Sequence, residues 1–320
     1  MAWCHAERQN LAAATRYAAR HGMHRQAWQI PAAIHDVFTR TGRFDDLISL
    51  NEIGVESARL DAHAFGEFAN LNNLGYAYLA THQYDRAITT LTAARARAAE
   101  SGHIAAESVC AHNLGGAYLS IGDTSRAIGI FHEVLAASRQ LANPFGESAT
   151  LHRLGDAYRR EKRPELALAA YGEALEIRER IGSARGQGLT HHQLATLYLE
   201  AGELRLAAQH CAAALTIHSR VQEAAGRCDA LVTRADIECA AGSASAVAYA
   251  EEAVAACVEL GDSYLRVRSL AVLADALGRM KSPDDAARTR AEALAVAAEL
   301  TGPDALPLLQ RLLASSLSVV

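Results

Sequence analysis

Four stretches of this chain restate one pattern at a fixed interval, and that repetition restricts the fold more than any other feature. LNNLGYAYLATHQYDRAI begins at Leu71, AHNLGGAYLSIGDTSRAI at Ala111, LHRLGDAYRREKRPELAL at Leu151 and HHQLATLYLEAGELRLAA at His191. The pairs Leu74-Gly75, Leu114-Gly115, Leu154-Gly155 and Leu194-Ala195 step by 40 residues. Tyr78, Tyr118, Tyr158 and Tyr198 keep that step, as do Ala87, Ala127, Ala167 and Ala207. Several independent columns sharing one long period indicate stacked structural units rather than a single irregular core.

The columns have a physical reading. A Leu and a Tyr four residues apart lie on one face of a helix. The Gly or Ala beside the Leu removes bulk where a neighbouring helix must come close. Gly42-Arg43, Gly122-Asp123, Gly202-Glu203 and Gly242-Ser243 then supply breaks. A second helix follows, with its small Ala and a large apolar residue four positions on: Leu91, Phe131 and Tyr171. Two antiparallel helices cannot bury both their faces alone, so each pair stacks on the next.

The pattern extends outward. Ile34, Phe38, Gly42 and Phe44 occupy the matching columns upstream. ADIECAAGSASAVAYAEEAV and LAVLADALGRMKSPDDAA are weaker downstream copies, the last offset by one residue. Arg234 and Glu238 stand where Leu and Tyr belong, so either the sixth unit rotates or the pair faces solvent. The expected architecture is all-α: a right-handed solenoid of about seven helix pairs with terminal helices. The repeats are set near 28–67, 68–107, 108–147, 148–187, 188–227, 228–266 and 267–305. An N-terminal half-repeat or cap helix over 1–27 precedes them, and a C-terminal cap helix over 306–320 follows.

Composition agrees. Half of the 320 residues are apolar and 6% are aromatic, with six prolines. That supports a sizeable core and excludes a disordered chain. The formal charge of −5 gives no global basic footprint for nucleic acid. Arg far outnumbers Lys, which occurs only as Lys162 and Lys281. The cysteines at 4, 110, 211, 228, 239 and 257 form no C-x-x-C pair. Buried reduced thiols are the reading, with a disulfide or zinc site as the alternative. Neither a signal peptide nor an apolar run of membrane-spanning length is seen, which fits a soluble, cytoplasmic protein.

The signature L-G-x-x-Y…A-x-x-x-[FY]…A resembles the tetratricopeptide repeat (TPR) family, although the usual TPR period is about 34 residues. Longer-period arrays with similar L-G-x-x-Y repeats occur in that family, among them cell-polarity adaptors. The segment W-x-x-x-E-R-x-N-L-x-A-A, carried by Trp3, Glu7, Arg8, Asn10, Leu11, Ala13 and Ala14, resembles a further group. It is similar to the joint before the TPR array in actinobacterial antibiotic-regulatory proteins and related STAND-type transcription factors. HAERQNLAAATRYAARHG reads as one helix ending at Gly22, where a repeat's second helix would end. A solenoid opening on half a repeat is expected of a piece of a longer protein, with a dedicated cap as the alternative. No G-x-x-x-x-G-K-[ST] loop or winged-helix pattern is present.

The TPR resemblance implies that first helices line a concave groove, with residues just before the Leu-Gly pair pointing into it. Here those are Asn72, His112, His152 and His192, with the adjoining Asn73, Asn113, Arg153 and Gln193. Tyr76, Asp156 and Thr196 lie one turn on. A polar solvated surface is the alternative reading. Arg159 and Arg160 belong to a basic run, R-R-E-K-R, suited either to a solvated helix end or to an acidic segment. A row of histidines would gain charge as pH falls towards roughly 5.5 and tighten an acidic ligand.

His112, His152 and His192 sit too far apart to share a metal whose ligand bonds are about 2.0–2.1 Å. Neither a metal, a cofactor nor a catalytic constellation is expected. The sequence therefore points to a protein- or peptide-binding scaffold, read as the sensor or autoinhibitory region of a transcriptional regulator. Its partner would be a peptide, a protein or another domain of that regulator, not nucleic acid or membrane. A free-standing peptide-sensing or adaptor protein is the rival, and an enzyme on a helical solenoid a more distant one.

Overall fold

The computed structural model describes residues 6–40, 43–280, 282–298 and 300. Trp3, Cys4, Gly42, Lys281 and the expected cap helix over 306–320 lie outside the described residues. Two compact units divide the chain, 1–161 and 162–320. The first contains α1 (Arg8–Arg20), α2 (His24–Arg40), α3 (Phe44–Leu60), α4 (Ala64–Ala80), α5 (Tyr84–Glu100), α6 (Ile104–Ser120), α7 (Thr124–Gln140) and α8 (Pro144–Arg160). The second contains α9 (Pro164–Arg180), α10 (Ala184–Glu200), α11 (Leu204–Arg220), α12 (Ala224–Ala240), α13 (Ser245–Leu260), α14 (Ser263–Arg279) and α15 (Pro283–Ala298). All the regular structure described is helical, and within each unit the helices stack as an α-solenoid. The repeat boundaries read from sequence lie about four residues downstream of the first-helix starts at 24, 64, 104, 144, 184, 224 and 263. Those starts hold His, Ala, Ile, Pro, Ala, Ala and Ser, a weaker column than the Leu, Gly and Tyr that set the phase of the sequence pattern.

A 20-residue beat underlies the 40-residue period. A left-handed residue ends nearly every helix: Gly22, Ala62, His82, Gly102, Gly122, Ala142, Lys162, Gly182, Gly202, Gln222, Gly242 and Gly261. The next amide folds back onto the helix, as in His103 N–H to Ala98 O at 3.1 Å and Asp123 N–H to Tyr118 O at 2.9 Å. This closure satisfies carbonyls that a helix end otherwise leaves orphaned. Glycine is therefore one way of making the break. Five of these positions hold a side chain in the same conformation.

Packing follows the repeated columns. In the first unit Leu74 and Tyr78 are buried, and Ala87, Leu91, Ala127 and Phe131 are wholly so. A β-carbon on Gly75 would stand 2.5 Å from Leu91 Cγ, and one on Gly115 would stand 2.6 Å from Phe131 Cε1. Those glycines are where the second helix presses closest. Helix α1 buries Ala12 against Ile34, Phe38, Leu47 and Leu50. In the second unit Tyr171, Ala195, Ala207 and Cys211 occupy the corresponding buried columns.

Helix α12 resolves the alternatives left open for Arg234 and Glu238, and corrects both. The helix has not rotated, because Leu231, Ala235 and Ile237 are buried as the columns require. Nor does the pair simply face solvent. Arg234 Nη2 lies 2.6 Å from Glu238 Oε1, with side-chain exposures of 21% and 13%. The Arg234 guanidinium sits 5.1 Å from the Tyr249 ring centre, and Ser245 Oγ donates to Glu238 at 2.9 Å. A half-buried ion pair replaces an apolar one and answers most of its polar atoms, although Arg234 Nε is buried without a hydrogen-bond partner. The one-residue offset also enters earlier than the sequence placed it. Ala246 and Ala250, rather than Val247 and Glu251, fill the buried positions of α13.

Candidate functional site

The polar residues read as groove candidates fall on successive first helices, but the structure uses many of them between helices. In the first unit Asn113 Nδ2 donates to Asn72 Oδ1 at 2.9 Å, tying α6 to α4. His112 Nδ1 lies 3.3 Å from Thr150 Oγ1 on α8, and its ring is 5.8 Å from that of Phe131. Tyr76 meets His35 of α2 edge-on at 5.5 Å. His152 is buried, with Nε2 3.9 Å from Asp156 Oδ2, and Arg153 Nη1 is 3.5 Å from that same oxygen. In the second unit His192 Nε2 lies 2.9 Å from Thr233 Oγ1, and Thr196 Oγ1 donates back to the His192 carbonyl at 3.1 Å. Gln193 is half-buried.

Two expectations about charge change here. Arg160 donates to the Leu119 carbonyl at 2.5 Å, so this member of the basic run caps a helix end. His112 has its pKa pushed down to about 3 by burial first, with the positive charges of Arg153 and His152 adding to it. It therefore stays neutral at pH 5.5, and a charged row running through it does not form. The buried environment, absent from the sequence pattern, overrides the free histidine value.

Two cavities open on the first-helix face. A cleft of about 640 Å³ spans α2, α4 and α6, lined by Trp28, Phe65, Phe68, Val109 and the amides of Asn72 and Asn73. A second hollow of about 220 Å³ lies between α6, α7 and α8, lined by His112, Leu141 and Phe145 and sharing Val109 with the first. Trp28 is held by its indole N–H donating to Asp61 at 2.9 Å, and it stacks on His63 at 4.5 Å. Phe65 packs edge-on to Phe68 at 5.1 Å. Three rim residues stay open to solvent: Phe65 at 50%, Val109 at 53% and Phe145 at 68%.

Asn72 and Asn73 reach the larger cleft and His112 the smaller one. Asn113, Arg153, Asp156, Arg159 and Arg160 line neither. Sequence reading missed Trp28, Phe65, Val109 and Phe145. Their signal was available: each is a large apolar residue on a first helix, outside the Leu and Tyr columns that the core consumes. Cys110, Cys211, Cys228, Cys239 and Cys257 are free and buried. Burial pushes the Cys110 and Cys211 thiols up to about 12. Among the described residues no group of three or more His, Cys, Asp or Glu is placed to hold a metal ion. No described helix is long and apolar enough to cross a membrane.

Residues 67–140 and 146–221 match the sequence profile of the Tetratricopeptide repeat family. Those two spans carry tetratricopeptide repeats. No curated protein matches the chain by sequence. Among solved structures, a Rap protein complexed with Competence and Sporulation Factor superposes with a TM-score of 0.68 at 11% identity, covering 90% of this chain and 76% of that one. The Rap conjugation gene regulator of the plasmid pLS20, solved with the Phr* peptide, gives 0.64 at 13% identity, covering 87% and 78%. A STAND protein with a tetratricopeptide repeat sensor, PH0952 from Pyrococcus horikoshii, gives 0.63 at 16% identity, covering 87% of this chain and 43% of that one. At such identities the likeness is one of fold alone.

Proposed function

We propose that this TPR array is the ligand-sensing arm of a regulatory protein and that it takes a peptide or protein segment on the first-helix face of residues 24–160. The observation that carries this is the 640 Å³ cleft across α2, α4 and α6. Its volume falls within the roughly 300–1,000 Å³ of ligand-binding clefts, and its rim exposes Phe65 and Val109 to solvent. The pLS20 regulator, solved with Phr* peptide, and the STAND protein's tetratricopeptide repeat sensor support the reading by fold. An occupied face would favour whichever array conformation the ligand binds better, and so bias a partner domain. No catalytic step is proposed.

Trp28 supplies the assay. It lines the cleft, and the chain holds only one other tryptophan, Trp3. In a Trp3→Phe protein, peptides selected from a random library should shift Trp28 emission saturably. Selected binders that leave Trp28 unaltered would move the site off this face. For the regulatory half, reading the gene upstream of Met1 should reveal a nucleotide-binding or DNA-binding region. A stop codon immediately before Met1, with no regulator gene adjoining, would favour a free-standing sensor.

A further inference from the structure

We infer that the segment bound by this face is uncharged where it touches the protein, and that it seats a bulky apolar side chain in the larger cleft and a small one in the hollow beyond Val109. The inference rests on the peptide-binding reading and names the chemistry of its ligand. Among the described residues, neither cavity has an Asp, Glu, Lys or Arg in its lining. In a chain with 21% charged residues, a lining of this extent would ordinarily include several. The groups there that could ionise do not do so near neutrality. The Cys110 thiol is pushed up to about 12, and His112 is pushed down to about 3. A ligand carboxylate or ammonium placed against these walls would lose its hydration with no countercharge in return.

Shape narrows the ligand further. The larger cleft is walled by the aromatic rings of Trp28, Phe65 and Phe68, surfaces on which a flat or bulky apolar group gains contact. The hollow of about 220 Å³ lies below the usual ligand-cleft range, so it fits one side chain rather than a whole molecule. Val109 belongs to both and forms the ridge between them. The exposed rims at Phe65, Val109 and Phe145 run over α4, α6 and α8. A chain that covers all three must extend past both cavities, as a peptide does and a compact metabolite does not. Asn73 lines the cleft, where its carboxamide can meet a peptide N–H or C=O. The nearby arginines stand apart: Arg153 faces Asp156, and Arg160 of the basic run holds the Leu119 carbonyl.

The test is to pan a random heptapeptide library on the full chain, then measure selected peptides by Trp28 emission in the Trp3→Phe protein. Winners should carry two apolar residues, one of them bulky, with no acidic or basic residue between. Their affinity should change by less than about twofold from 50 to 500 mM salt, because no ion pair is screened. Val109→Asp should weaken binding at least about tenfold, Phe145→Ala should weaken it less, and Arg153→Ala should leave it alone. Val109 is half exposed, and Val109→Ala provides a second variant if the aspartate disturbs folding. Acidic winners whose affinity falls with salt and with Arg153→Ala would overturn the ligand chemistry and leave peptide binding standing. Failure of any peptide to bind in a Val109-dependent way would overturn both readings. A concentration-dependent dimer dispersed by Val109→Asp would make the occupant a second copy, and would also overturn the inference.

Discussion

The guanidinium of Arg160 reaches the carbonyl oxygen of Leu119 at 2.5 Å, so the last turn of α8 closes the last turn of α6. The second unit repeats the device: Arg279 Nη1 donates to the Cys239 carbonyl at 2.7 Å. A cation at a helix C-terminus satisfies an orphaned acceptor and complements the helix dipole. Arg160→Ala should therefore cost about 1 kcal/mol of stability and leave the affinity of cleft-binding peptides unchanged. Chemical denaturation alongside Trp28 titration separates the two. A loss of affinity without a loss of stability would return Arg160 to the binding face.

Adjacent glycines on α6 give opposite expectations. A β-carbon at Gly115 would meet the Phe131 ring at 2.6 Å, whereas one at Gly116 meets nothing within 4 Å. Gly116→Ala should stabilise the array by about 0.5–1 kcal/mol, the ordinary gain from removing a helical glycine. Gly115→Ala should forfeit that gain and destabilise by roughly 1–3 kcal/mol through overpacking. Urea midpoints of the two variants should fall on opposite sides of wild type.

Ala142 holds a left-handed conformation at φ 49° in the turn between α7 and α8. A side chain there works against backbone sterics costing roughly 1–2 kcal/mol. Ala142→Gly should raise stability by about 0.5–1 kcal/mol once the extra freedom of glycine in the unfolded chain is deducted. Thermal melts decide it, and the same exchange at Ala62 should behave alike.

His112 ties stability to pH. Its pKa lies near 3 in the folded protein, through burial first, against about 6.5 unfolded. The unfolded chain therefore binds the proton more readily, and stability falls as pH drops through 6.5. Between pH 7.5 and 5.5 this residue alone should remove about 1 kcal/mol. His112→Asn should flatten that part of the profile. Burial also lowers His35, His191 and His210, so some acid sensitivity should survive. A slope unchanged in the variant would show that His112 protonates without strain.

The repeat was legible because its packing is periodic. Leu74, Gly75 and Tyr78 solve the same steric problem as Leu114, Gly115 and Tyr118, and so their residue types recur. The cleft was harder to read for the opposite reason. Positions 65, 105, 145 and 185 hold Phe, Ala, Phe and Arg, so a column average hides the two phenylalanines that form rims. Polarity alone did not say how the next column is used. Asn72, His112 and His192 are each paired across to a neighbouring first helix, and Asn72 and His112 also line the cavities. Arg234 and Glu238 broke the pattern visibly, but their ion pair depends on Tyr249 and Ser245, which no spacing rule connects to them.

The helices α2 to α12 all run 17 residues, with three-residue turns between the later ones. A chain built to that beat can be edited like a ratchet. Cuts placed at left-handed turn residues such as Ala62 and Ala142 keep every downstream helix in phase. An insertion of two full beats adds one more helix pair, whereas an insertion of one beat exchanges first helices for second ones. Growth of the first-helix face is thus quantised, and a gene that lengthens by whole pairs can acquire new side-chain pockets without disturbing old ones.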